Sequence, residues 1–198
     1  MISLRRLNHI TTLKAFGRKF ARDNGGVSAI EFALVAPILV AAYLGLAELT
    51  LGMMASRRAS HLAATIGDLA AQSETLTTDN ISDLWQIGKS MLPDAASGTS
   101  LKMRLTSVTM DATNHAIVNW SVSSQESAYP HNKKGAQITA ITTTQIAAGE
   151  SLVMTEIQYD YTSPLGGFFV PTGTQFKDVF YHHPRSGTAV QCPSCPTP

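Results

Sequence analysis

Two cysteines near the carboxy-terminal end, in Cys192-Pro193-Ser194-Cys195, and two carboxylates in or beside an apolar run, Glu31 and Glu48, are the residues whose types and spacing invite a chemical reading. A Cys-x-x-Cys pair can serve as a redox couple, supply half of a zinc site or close a structural disulfide. Zinc wants four ligands, and there is no second cysteine pair, although His182 and His183 are near in sequence. A redox couple wants its first cysteine at a helix amino terminus, whereas Pro193 and Pro196 place these in a terminal tail. In an oxidising compartment a local disulfide is the favoured state, and pairing to another subunit stays open. His61, His115, His131, His182 and His183 are scattered through segments of different character and read as surface or packing residues. No Gly-x-Ser-x-Gly elbow, P-loop, His-Glu-x-x-His or dinucleotide fingerprint occurs, so the expectation is a non-enzyme with no catalytic residue, metal or cofactor.

The carboxylates direct attention to the segment that holds them. The chain is 44% apolar but only 15% charged, against a usual charged fraction of ~25%, and the excess lies in residues 32–47, which carry no charge. As a helix that core rises about 24 Å, a little short of the ~30 Å hydrocarbon layer, while residues 27–54 more than span it. Spanning therefore requires Glu31 and Glu48 to lie near the interfaces or to find partners, since a mid-bilayer charge costs a few kcal/mol at least. Arg5, Arg6, Lys14, Arg18, Lys19 and Arg22, opposed only by Asp23, precede the run and place the amino terminus on the cytoplasmic side. Arg57 and Arg58 argue weakly the other way. An ordinary signal peptide, a buried core helix and an unprocessed anchor compete with this reading. The first fits poorly because the apolar run continues without a turn into helix-compatible sequence. The second fits poorly because the segment is apolar around its whole circumference and carries Pro37, which membranes tolerate better than water does. With a net charge of +1 there is no global field to recruit nucleic acid.

Just ahead of the apolar run stands Gly25-Gly26-Val27-Ser28-Ala29-Ile30-Glu31-Phe32. A glycine followed after four residues by Glu-Phe resembles the type IV prepilin processing site, where an inner-membrane peptidase cuts after the glycine. The resemblance places the cut between Gly26 and Val27 and makes Glu31, with Phe32 beside it, the assembly residue. Glycine suits such a site because it has no side chain to obstruct a peptidase subsite. The glutamate would pair with the freed amino terminus of a neighbouring subunit, which offsets its cost in lipid. The string through Val40, with its early proline, is similar to the start of the TadE/TadG-like proteins of tight-adherence (Flp-type, type IV) pilus assembly. Tyr159-Asp160-Tyr161-Thr162-Ser163-Pro164 resembles that family's late strand, and Phe180-Tyr181-His182-His183-Pro184-Arg185 its penultimate aromatic-Pro-Arg segment, although His182-His183 departs from the expected lead-in. The resemblance is loose over residues 73–145. It implies a single-pass bacterial inner-membrane protein with a periplasmic domain, acting in pilus assembly or as a minor pseudopilin. Its implied partners are the prepilin peptidase, other pilins and pilus assembly proteins, and the lipid bilayer. The alternative of another class is a tethered periplasmic enzyme or sensor with an unprocessed anchor, using the cysteines or histidines.

The expected organisation is a basic cytoplasmic leader over residues 1–26, a transmembrane and extended helix over 27–72, and a periplasmic α+β domain with a tail over 73–198. Ala59, Leu62, Ala63, Ile66, Leu69 and Ala70 recur at helical spacing, so the first helix should run on into water. Thr77-Thr78-Asp79 supplies cap-type residues for a second helix carrying Ile81, Leu84 and Trp85, ended by Pro93. Residues 101–110 and 116–123 alternate apolar and polar as a β-hairpin, with further strands expected over 137–145 and 152–161. A small antiparallel sheet should then pack one face on the helix, a pilin-like arrangement. The stretch 163–173, with Phe168-Phe169-Val170, reads as a loop plugging the sheet end in preference to an exposed interaction patch.

Overall fold

A computed structural model of the chain describes residues 26–92 and 100–195. The basic leader up to residue 25, and Pro93, lie outside the described residues. Two compact units meet between Ala47 and Glu48. The described elements are α1 (Val27–Gln72), α2 (Thr78–Met91), β1 (Leu101–Met110), β2 (Ala116–Ser123), β3 (Ser151–Tyr161) and β4 (Thr174–His182). This is the expected α+β arrangement of one long apolar helix followed by a small antiparallel sheet.

α1 is one uninterrupted helix of 46 residues with Pro37 inside it. Its first half has apolar side chains open on all sides, including Ile30, Phe32, Leu34, Ile38, Leu39 and Tyr43. Its second half is amphipathic: Ala59, Leu62, Ala63, Ile66 and Ala70 are all fully buried. The buried stripe of small residues lets the sheet come close, and burying Leu62 and Ile66 contributes about 1.5–3 kcal/mol each. α2 begins with a reciprocal cap, in which Thr77 Oγ1 accepts from the Asn80 amide at 3.2 Å and Asn80 Oδ1 accepts from the Thr77 amide at 3.0 Å. Ile81 and Leu84 turn into the same core.

The sheet order is β2-β1-β3-β4, antiparallel throughout. Leu101, Met103 and Leu105 of β1, Val153, Ile157, Tyr159 and Tyr161 of β3, and Phe176 and Phe180 of β4 belong to the core shared with α1. The β1–β2 register shifts beside Val108, where Ser107 pairs with Trp120 and Val108 with Val118. The extra residue, Asn119, switches the facing of β2. Trp120 and Val122 join the core under α1, while Ala116 joins a second apolar cluster with Val108, Met110, Leu152 and Met154.

Two strand expectations need correction. Residues 137–145 form turns, with a single bridge from Gln137 to Ile117. Ile141 and Ile146 close the second apolar cluster, and the Thr142 amide donates to Gln145 Oε1 in a local turn. Side chains spaced to plug one end of a sheet need no period of two. Conversely β4, read only as part of an aromatic-Pro-Arg segment, is the fourth strand. Its alternation is broken by Asp178, which lies on the inner side and accepts a hydrogen bond from Ser60 of α1.

The carboxy-terminal segment is pinned to the domain. Gln191 bridges Thr75 in the α1–α2 connection, with Leu76 N donating to Gln191 O at 2.8 Å. Trp120 Nε1 donates to Val190 O at 2.7 Å.

Candidate membrane-proximal site

The residues singled out at the start of α1 occupy its first turns. Gly26 leads into the helix, Val27 is its first residue, and Glu31 and Phe32 follow one turn later, all exposed. Phe32 is 71% exposed, which suits lipid or a neighbouring helix and not a water-facing surface.

The structure adds a second charged site that sequence reasoning did not assemble. Glu48, at the end of the charge-free run, is 1% exposed. Its Oε1 accepts from the Ser163 hydroxyl at 2.5 Å and from the Phe168 amide at 3.2 Å, and its Oε2 accepts from the Phe169 amide at 2.6 Å. Three donors from one loop thus surround a buried carboxylate, the condition under which burial of such a group is tolerable. One helical turn on, Gly52 receives the side chain of Val170, where an added Cβ would stand 3.2 Å from Val170 Cγ2. Glu48 and Gly52 share a face of α1, so one supplies the polar anchor and the other the space for the same loop.

Local sequence explains the loop. Tyr159 and Tyr161 point to the core from β3, their rings packing with Phe176, and the chain then leaves the sheet at Ser163-Pro164. Gly166 and Gly167 both take positive φ, 101° and 76°, turning the backbone so that the next amides face Glu48. The expectation that this stretch plugs the sheet end is corrected in part. Val170 packs on the core, but Phe168 is 90% exposed and Phe169 50%. Their amides donate to Glu48 while the Phe168 ring faces outward. Glu48 carried a legible signal, a lone carboxylate in apolar sequence that needed donors. Its partners did not, because Ser163 lies 115 positions away.

At the far end of the domain Cys192 and Cys195 are joined in a disulfide, and Cys195 is buried in the main core. The pair lines a cleft of about 590 Å³ together with Thr109, Asn119, Trp120 and Lys134. Among the described residues no group of three His, Cys, Asp or Glu side chains is arranged to hold a metal ion. His182 sits on β4 against α1, while His183 is exposed in the following turn. On the outer face of the sheet Arg104 and Glu156 form a two-pronged pair, with both N–O distances 2.7 Å.

α1 is long and apolar enough to cross a membrane, with its most apolar window unburied by the rest of the chain. The family model described as TadE-like protein matches residues 26–67, from Gly26 ahead of α1 to Gly67 where α1 meets the sheet. No curated protein and no solved structure matches the chain. Over residues 26–67 the chain is similar to the TadE-like family, and those residues lie on the helix that is long and apolar enough to cross a membrane.

Proposed function

We propose that the protein is a component of tight-adherence pilus assembly, made as a prepilin-like precursor and cut between Gly26 and Val27. α1 holds it in the bacterial inner membrane, with the amino terminus cytoplasmic and residues 73–198 periplasmic, and it acts as an assembly factor or minor pseudopilin. The observation that carries this reading is the family match that begins at Gly26, where Gly26 and the Glu31-Phe32 pair open an unbroken α1. Work is done by lateral packing of helices, not by catalysis. Ala33, Ala36, Ala41, Ala42, Gly45 and Ala47 permit close approach in lipid, where packing drives association. The ammonium freed at Val27 of one subunit would pair with Glu31 of its neighbour. The prepilin peptidase, other pilins and inner-membrane assembly proteins are the partners this requires.

Intact mass and amino-terminal sequencing of the membrane-extracted protein, with and without the prepilin peptidase, test the reading. A peptidase-dependent start at Val27 supports it. A start at Met1 in both cases refutes processing and leaves an unprocessed anchor, and a start beyond Ala47 refutes the anchor itself.

A further inference from the structure

The loop that encloses Glu48 presents three apolar side chains outward, Leu165, Phe168 and Phe169, of which Phe168 is almost wholly exposed. Their rings and chains contribute nothing to the domain core, and the two phenyl rings lie 5.7 Å apart as a pair. An exposed aromatic pair on a loop is costly in water and unusual without an occupant.

Position along α1 identifies that occupant. The loop is tied to Glu48, the residue directly after the charge-free run, and to Gly52 one turn later. Residues 27–47 rise about 30 Å, the thickness of a hydrocarbon layer, so the tie falls where a spanning helix leaves the acyl region. Leu49, Leu51, Met53 and Met54 remain exposed on the same stretch of helix, and the first cations after it are Arg57 and Arg58. Apolar surface followed by arginines is the sequence of environments met on passing from acyl chains to phosphates, and aromatic rings concentrate at that boundary.

We propose that the 164–170 loop is a membrane-inserting wedge: Leu165, Phe168 and Phe169 enter the interfacial region of the bilayer, while Glu48 holds the loop's backbone to α1. The wedge gives the periplasmic domain a second point of attachment to the lipid. The same contact resolves the position of Glu48, whose charge is enclosed by protein donors while the loop's outer surface matches lipid. This inference rests on the spanning role of α1.

Full-length protein reconstituted alone into phosphatidylethanolamine–phosphatidylglycerol vesicles, with Phe168→Trp as the reporter, tests it. The emission added over the wild-type background should be quenched by lipids brominated high on the acyl chain and be insensitive to aqueous iodide. The Ser163→Ala and Glu48→Gln variants of the reporter should both lose lipid quenching and gain iodide quenching as the loop comes away. A reporter quenched by iodide alone, in protein that stays with the vesicles through alkaline carbonate extraction, overturns the wedge but leaves the anchor intact. Release by carbonate overturns the anchor as well. Shielding that arises only after other pilus proteins are added assigns the loop to a protein partner and also overturns the proposal.

Discussion

Gly67 of α1 lies directly against His182 of β4: a Cβ built on Gly67 would stand 2.5 Å from His182 Nδ1 and 2.6 Å from Thr155 Oγ1. Neither atom is the far end of a flexible chain, and Thr155 is fully buried. The helix backbone at Gly67 therefore packs directly on the side chains of His182 and Thr155. This close approach is where the family match ends, at residue 67.

Gly67→Ala should destabilise the domain. Alanine favours a helix over glycine by up to ~1 kcal/mol, but forcing a methyl into a packed helix–sheet seam costs about 1–3 kcal/mol. A net loss of about 1–2 kcal/mol is expected in denaturant titrations of the detergent-solubilised protein. An unchanged or higher midpoint would refute so tight a seam.

His182 makes stability fall as pH drops. Burial against α1 lowers the pKa of its imidazole, with Arg185 acting the same way and Asp68 opposing. Nδ1 has no hydrogen-bond partner among the described residues. The folded state thus binds fewer protons than the unfolded chain below the ordinary histidine value of ~6.5, so stability is full above that pH and declines beneath it. Unfolding midpoints measured across mildly acid pH should fall in the native protein and fall less in His182→Phe.

Arg104 binds Glu156 through two short hydrogen bonds and lies 4.2 Å over the Tyr129 ring. Burial, aided by Glu156, pushes the Tyr129 phenol up to about 12. The folded state therefore retains a proton that the unfolded chain loses near ~10, and this contribution to stability is lost as pH rises between those values. Spectrophotometric titration should show Tyr129 ionising late, with Tyr181 also raised by burial, and the Tyr129→Phe variant should lack the late step at about 12. Arg104→Ala should cost about 3 kcal/mol by stranding a mostly buried carboxylate, whereas replacement of a fully exposed arginine would cost under ~1 kcal/mol.

Glu31→Ala should abolish pilus function while expression and the Val27 start are unchanged, as read by electron microscopy and amino-terminal sequencing. Normal piliation in that variant would count against helix assembly through Glu31.

Much of the architecture is legible in local sequence pattern. The apolar run, the small-residue stripe from Ala59 to Ala70, the Thr77 cap and the 101–123 hairpin are local patterns, set by period and by the few residues that suit a cap or turn. β4 does not read as a strand in the sequence because Asp178 occupies an inward position, where Ser60 on α1 donates a hydrogen bond to it. Residues 137–145 misled because isoleucines among threonines resemble a strand, whereas they serve one sheet face from a turn.

A helix able to cross a membrane, opened by a glycine and a Glu-Phe pair, is written in local sequence, because charge, length and composition act locally. The need of Glu48 for partners is equally local, whereas the identity of those partners comes from long-range folding. Ser163 and the amides of Phe168 and Phe169 reach Glu48 after the β3–β4 connection folds back onto α1. That encounter depends on sheet register and on two positive-φ glycines acting together. The outward placement of Phe168 belongs to the same closure, in which the Phe168 and Phe169 amides face Glu48 while the Phe168 ring is exposed.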